Sequence, residues 1–467
     1  MFHAYNEALD ERQADYIMRR SPSRILASML GFTLVISILA ACGSGATQTN
    51  TGNGGNGGTQ QTITIKIGSE LPTTAGDAST GKPAQDGVQL AVQEANADPN
   101  FLPGYKFVLV PKDDVGINGT HDPTTGQKNV TDLIGDAQVA GIVGPINSSV
   151  ALAEIPTTNK APIALISPSN TNDCLTKETP AFECGGANSK MAALRPTGKV
   201  TYFRTATIDQ YQGAALAVYG YKNKNYRSVY VLDDTEAYGV GLAQNFTTYW
   251  KKLGGTVVGS ASIKQTNSYE NILTEIAAKR PDFIFFGGND STGGITIRQQ
   301  MKTVAGLANT PFFAGDGAKT SALAKAVKPL GGGQVFASIP GVDPSQSPAS
   351  KTFFDAYTKQ FGSDAIGAYS AGGYDCAKIL LQAIQTVVKN KKATAPKDSG
   401  DDTGAATFRQ AVIDAVQSIQ YDGVTGHHSF DKNGDTSNHF ISLYTIGDLN
   451  TGDGWKYLEQ IDTSSLQ

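Results

Sequence analysis

Several patches of this sequence carry residue types suited to covalent or metal chemistry. Ala368-Tyr369-Ser370-Ala371-Gly372 approaches the G-x-S-x-G turn that exposes a serine nucleophile, with aspartates and histidines following in α/β-hydrolase order. That turn must be fed by an apolar strand, whereas Gly362-Ser363-Asp364-Ala365-Ile366-Gly367 reads as a loop. Asp431-Lys432-Asn433-Gly434-Asp435 opens like a calcium loop. Its sixth position is Thr436 rather than glycine and its twelfth is Ser442 rather than glutamate, so the chelating geometry fails. Asn433-Gly434 reads instead as a hairpin turn. The five histidines, His427-His428 included, show no metal-ligand spacing. The residues from Gly52 to Gly57 match a dinucleotide fingerprint in letters only, since they follow no strand and open no helix. The reading is a non-enzyme with no cofactor and no metal, an α/β-hydrolase being the catalytic alternative.

Two hydroxyl-rich loops remain. Asn147-Ser148-Ser149 follows the apolar run Val139–Val143, and Ser167-Pro168-Ser169-Asn170-Thr171 follows the run 163–166. Hydroxyls after a strand either cap the next helix or, with its free N–H groups, hold an anion.

The elements that must position these loops alternate. Ile63, Ile65 and Ile67 alternate with polar residues, the mark of a strand ending at Gly68-Ser69. Val88, Ala91, Val92 and Ala95 recur at helical spacing, 107–110 reads as a strand, and Val130, Leu133 and Ile134 lie on a helix. A second series begins after Thr207. Helices are expected at 212–219, 241–253, 272–278 and 295–304, interleaved with strands at 228–232, 257–263, 283–286 and Phe312–Ala314. Helices at 352–361, 374–388 and 407–418 then precede a strand pair at 439–446 and 455–458. Two such series predict an α/β chain of two Rossmann-like lobes with parallel sheets, whose ligand lies beyond the carboxyl ends of the strands. With 467 residues, 40% hydrophobic and 17% charged, the chain can bury two cores. A net charge of -4 with no basic stripe argues against a nucleic-acid partner.

The N-terminus reads as an export signal. Arg19, Arg20 and Arg24 precede an apolar run ending in Leu39-Ala40-Ala41-Cys42, which resembles the lipobox of bacterial lipoproteins, where the cysteine is acylated. Residues 1–42 are therefore expected to be the signal with its lipobox, Met18 offering a second candidate start. Residues 43–61, rich in Gly, Asn and Thr, are expected to be a flexible tether. The protein is expected on the outer face of the cytoplasmic membrane. In that oxidising setting Cys174 and Cys184 are expected to pair locally, and Cys376, within an apolar helical pattern, to remain a buried thiol.

From Thr62 onward the loops resemble a known family. Ile63-Thr-Ile-Lys-Ile-Gly-Ser-Glu-Leu-Pro-Thr-Thr is similar to the opening of type I periplasmic binding proteins, in the branch of leucine/isoleucine/valine-binding receptors of ABC transporters. Gly141-Ile-Val-Gly-Pro-Ile-Asn-Ser-Ser and Ile163-Ala-Leu-Ile-Ser-Pro-Ser-Asn-Thr resemble its serine and threonine loops. Tyr202-Phe-Arg-Thr resembles its first inter-lobe crossing. Asp233-Asp-Thr-Glu-Ala-Tyr-Gly-Val-Gly and Phe430-Asp-Lys-Asn-Gly-Asp resemble two later motifs.

The resemblance implies two lobes closing on a ligand about a three-strand hinge, with crossings near 204–207, 338–342 and 426–430. One lobe would hold 62–207 plus 341–427, the other 208–340 plus 428–460. It also implies the site: Ser148, Ser149, Ser169 and Thr171 on a ligand carboxylate, Tyr238, Asn289 and Asp316 opposite, with Asp316 meeting an ammonium. Asn289 stands where these receptors carry tyrosine, and Asp316 replaces glutamate after a one-residue gap. The implied function is an extracellular receptor for an amino acid or amino-acid-like polar solute. It would act as a monomer anchored to the membrane by lipid and serve ABC permease subunits. The alternative is a sensory receptor of the same fold.

Overall fold

The alternating Ile63, Ile65 and Ile67 do form a strand, and its apolar face is the start of a doubly covered sheet. The computed structural model describes residues 62–178, 190–331, 334–450 and 452–466. Signal, Cys42 and tether fall in residues 1–61, and Cys184 in 179–189, all outside the described residues.

The first series runs β1 (Ile63–Glu70), α1 (Ala78–Ala97), β2 (Tyr105–Lys112), α2 (Pro123–Ile134), β3 (Val139–Val143), α3 (Ser148–Lys160), β4 (Ala164–Ser167), α4 (Met191–Leu194) and β5 (Tyr202–Arg204). Its five strands are parallel, in the order β2-β1-β3-β4-β5. The second series runs α5 (Asp209–Val218), β6 (Ser228–Asp233), α6 (Ala237–Lys252), β7 (Thr256–Ser262), α7 (Glu270–Lys279), β8 (Phe283–Gly287), α8 (Ile295–Gln300), β9 (Phe312–Ala314), α9 (Ser321–Val327) and β10 (Val335–Pro340). Then come α10 (Ser350–Phe361), α11 (Ser370–Lys389), α12 (Asp402–Gln417), the hairpin β11 (Tyr421–Gly423) with β12 (Gly426–His428), β13 (Phe440–Ile446) and β14 (Trp455–Asp462). The second sheet has the order β14-β13-β10-β9-β8-β6-β7. It is parallel from β7 to β10, and its last two strands join antiparallel, an addition to the parallel sheets expected.

Each sheet is covered on both faces, which is why its central strands are apolar runs rather than alternations. On the first sheet, Val88 and Val92 of α1, Leu380 and Ile384 of α11 and Phe408 and Val412 of α12 pack on one face. Val130 and Leu133 of α2 and Ile155 of α3 pack on the other. The second sheet carries Leu216, Phe246 and Trp250 on one face and Leu273, Ile297 and Leu323 on the other. Helices α1 and α11 approach backbone to backbone: a Cβ on Gly373 would lie 2.2 Å from the Ala84 carbonyl oxygen. That contact requires small residues in the first turn of α11, which starts at Ser370 rather than near Tyr374. Helix α8 stops at Gln300, short of the expected Val304, as the chain turns toward Gly306 at φ 91°.

The lobes are joined three times, by 205–208, by 341–349 and by 429–439. Two of these segments are tied to residues that flank the crossings. Arg204 N–H donates to the Gly434 carbonyl at 3.1 Å, Val342 N–H to Thr425 at 3.2 Å, and Ser442 Oγ to Gly341 at 2.8 Å.

Candidate functional site

In each sheet the strand order reverses beside the first strand of its series, between β1 and β3 and between β6 and β8. Loops leaving the carboxyl ends of strands at such points form crevices. The loops after β3 and β4 in the first lobe and after β6, β8 and β9 in the second meet across one small cavity. Ser148, Ser169, Tyr238, Asn289 and Asp316 line it, together with Thr80, Asn147, Gly317 and Tyr369. Ser149 and Thr171 do not.

Ser148 is the first residue of α3, preceded by Asn147 as N-cap, and Asn147 makes no capping bond from its side chain. The Oδ1 of Asn147 is buried without a hydrogen-bond partner. The N-terminus of this 13-residue helix, which carries a partial positive charge, therefore borders the cavity through Asn147 and Ser148. Ser169 Oγ donates to the Ile146 carbonyl at 2.9 Å, bracing the two hydroxyl loops together. Ser149 is half-buried and faces Glu236 of the second lobe. Thr171 is fully buried; its carbonyl accepts from Asp209 N–H at 2.8 Å, placing it on the first crossing.

Across the cavity stands Asp316. Its Oδ1 accepts from Tyr238 Oη at 2.8 Å and from Gln212 Nε2 at 2.8 Å, and its Oδ2 accepts from Tyr369 Oη. Burial pushes the Asp316 carboxyl up, and these three donors work against that shift. All three are uncharged, so the carboxylate has hydrogen bonds but no counter-ion among them. Tyr238 also accepts from Gly317 N–H at 3.1 Å. Asn289 caps the turn after β8 in a reciprocal pair with Thr292, and its N–H donates to Asp234 at 3.2 Å. Its Oδ1 overhangs Gly317 so closely that a Cβ there would lie 2.4 Å away.

Tyr369 and Gln212 escaped the sequence reading. Tyr369 belongs to the segment weighed as a nucleophile elbow, and in the structure it immediately precedes helix α11 with no strand feeding it. Ser370, the would-be nucleophile, spends its hydroxyl on the Gly367 N–H at 3.0 Å. Gln212 sits on α5 just past the first crossing, where nothing local marks it.

A second polar contact spans the lobes. His121 Nδ1 lies 2.8 Å from Asp77 Oδ2, and its Nε2 lies 3.9 Å from Glu236 Oε2 in the second lobe. Ser291, also in the second lobe, donates to Asp77. Burial alone would lower His121, but the two carboxylates outweigh it and push it up to about 10. The same contacts hold Asp77 and Glu236 below the usual carboxylate range. Asn172 Nδ2 to the Ala237 carbonyl at 2.5 Å and Asn245 Nδ2 to Asp173 at 2.8 Å complete the seam.

Elsewhere, Cys174 is disulfide-bonded, while Cys376 is a buried free thiol 3.3 Å from the Thr205 hydroxyl. Among the described residues no group of three or more His, Cys, Asp or Glu could hold a metal ion. Nor is any helix among them long and apolar enough to cross a membrane.

Two doubly wound lobes that meet at their switch points over a polar cavity, with three crossings between them, define a type I periplasmic binding protein. The chain belongs to the periplasmic binding protein family, whose model matches residues 64–453. It is 26% identical over 382 residues to the Leu/Ile/Val-binding protein BraC3 of Rhizobium johnstonii, covering 81% of this chain and 91% of that one. The leucine binding protein LivK of Thermotoga maritima superposes with a TM-score of 0.69 at 22% identity, over 86% of this chain and 99% of that one. A solute binding protein of an ABC transporter from R. palustris, in complex with 4-hydroxybenzoate, gives 0.67 at 17% identity, over 85% and 97%. The family and fold expected from the loops are thereby borne out, and Leu/Ile/Val-binding proteins are among the relatives that match.

Proposed function

We propose that this protein is the exported, lipid-anchored receptor of an ABC importer, and that it captures an α-amino acid between its lobes. One observation carries the reading: the N-terminus of α3, with Ser148, faces the carboxylate of Asp316 across a single cavity. A zwitterion needs this pair of opposite poles. Its carboxylate would take the N–H groups and hydroxyls at Ser148 and Ser169, and its ammonium would become the cation that Asp316 lacks. The similarity to BraC3, a Leu/Ile/Val-binding protein, supports the same ligand class.

The cavity measures about 20 Å³, room for about one water. A solute enters only when the lobes part about their crossings, and the seam of His121, Asp77 and Glu236 then re-forms over it. Titration calorimetry of the full chain with the twenty amino acids tests the reading; no binding by any of them would refute it. For the anchor, Cys42→Ala should release the protein from membranes or leave it unprocessed. Unchanged mass and fractionation in that variant would exclude lipidation.

A further inference from the structure

On the hinge side of the small cavity lies a chamber of about 410 Å³, set between the same two lobes. The two spaces share two walls. In the segment 367–371, Tyr369 lines the cavity while Gly367, Ala368 and Ala371 line the chamber. In the turn 316–319, Asp316 and Gly317 line the cavity while Lys319 lines the chamber. The hydrogen bond from Tyr369 to Asp316 joins these two walls. It is the partition between a polar space too small for a solute and a larger space beside it.

The chamber has a different chemistry. Phe354 and Ile366 of the first lobe, Tyr444, Trp455 and Tyr457 of the second, and Val342 of the second crossing give it a mainly apolar and aromatic lining. Its charged groups are already engaged, two in an ion pair and one in hydrogen bonds. Lys319 is ion-paired with Asp453 and lies 4.4 Å from the Tyr444 ring centroid. Asp343 accepts from Tyr444 Oη at 2.5 Å, from Ser345 N–H at 2.8 Å and from Ser345 Oγ. A lining of this size, with its charged groups held in an ion pair or hydrogen bonds, offers a home to an apolar body. The helix N-terminus that would meet a carboxylate, with Asp316 opposite it, is on the other side of Tyr369.

We propose that one solute spans both spaces: an α-amino acid whose head is held between Ser148 and Asp316 and whose large aromatic side chain swings past Tyr369 into the hinge-side chamber. This rests on the amino-acid reading above and adds the size and character of the side chain. Asp316, freed from Tyr369, turns to the ammonium. Tyr369 is thus a specificity-determining residue, and the chamber is the compartment that rewards bulk.

The test is calorimetry on the full chain with L-alanine and L-phenylalanine, using the wild type and two variants that fill the chamber from opposite walls, Ala368→Trp and Val342→Trp. Ala368 and Val342 are both half-buried loop residues. The wild type should bind L-phenylalanine about 10-fold or more tighter than L-alanine. Either tryptophan should weaken L-phenylalanine about 10-fold or more and change L-alanine less than about 3-fold. Wild-type affinity for L-phenylalanine in a folded variant overturns the inference, as does equal loss for both ligands. Should neither variant fold, the wild-type order decides: affinity rising from L-alanine through L-leucine to L-phenylalanine supports the chamber, and L-alanine binding tightest overturns it. No binding of either amino acid to the wild type refutes the amino-acid reading itself and the inference with it, a result distinct from binding that ignores the chamber.

Discussion

Arg204 Nε donates to Asp435 Oδ1 at 2.7 Å, so the first crossing is bolted to the turn that begins the third. The Arg204 side chain is wholly buried and also donates to the carbonyls of Asn170 and Asn172 and to Thr176 Oγ1. The late Phe-Asp-x-x-Gly-Asp turn thus supplies the counter-ion for a guanidinium at the hinge. Asp435→Ala would strand that charge, and breaking such a pair costs about 3–5 kcal/mol. A urea unfolding midpoint that falls well below wild type is expected; an unchanged midpoint would show the pair to be dispensable.

The His121 seam predicts a pH dependence. His121 is held up to about 10, above its ordinary 6.5. Its contribution is therefore complete below about pH 6.5 and is lost as pH rises through 10. Asp77 and Glu236 are depressed, so theirs is present above the ordinary carboxylate range and is lost as pH falls through their lowered values. The carboxylates and groups that face His121 are Asp77, Glu236 and Asp114. Melting temperature measured from pH 6 to 10 should fall more steeply in wild type than in His121→Gln. Parallel curves would remove the seam from the account.

A third site of stored electrostatic cost lies beneath α3. Glu70, Asp114 and Glu154 are buried together, and Glu70 is hydrogen-bonded to both of the others. Burial, reinforced by mutual repulsion, raises Asp114 and Glu154 well above the usual range, and burial raises Glu70 as well. Raised acids stabilise the fold below their unfolded values and lose that contribution as pH climbs through the folded ones. Glu154→Gln removes one ionisable member while keeping its shape. It should raise stability at pH 8 by about 1–3 kcal/mol, the scale of ionising one raised acid, and less at pH 5. Denaturant titrations at the two pH values measure the difference; a loss at pH 8 would contradict it.

What could be read from the sequence follows a physical line. Strands β6, β8 and β9 are short runs bounded by turn residues, so their ends are legible in local pattern, whereas Tyr238 and Asp316 just beyond them are singled out only by the resemblance of their loops to the family. Tyr369 reaches Asp316 from 53 positions away and Gln212 from 104, through helices whose packing no local pattern encodes. Thr171 shows the converse. Its loop was identified, but which face of the loop meets the cavity depends on the Asp209 N–H that holds its carbonyl at the crossing. Glu70 ends β1 and Glu154 lies within α3, and only the meeting of these two elements makes them neighbours.

That contrast between Thr171 and Asp316 gives the sharpest functional test. Asp316 is the acceptor of three neutral donors on the cavity wall, and a ligand ammonium would add the charge-assisted bond that they cannot. A bond to a charged group contributes about 1.5–3 kcal/mol net, so Asp316→Asn should weaken an amino acid by roughly 10- to 100-fold. Thr171, buried at the crossing and off the cavity, should tolerate alanine with less than about a 3-fold change. Calorimetry of both variants with an amino acid that binds the wild type decides between them. Wild-type affinity in Asp316→Asn would take the ammonium away from this carboxylate. A large loss in Thr171→Ala with little in Asp316→Asn would move the polar head of the solute toward the threonine loop and leave Asp316 a structural residue.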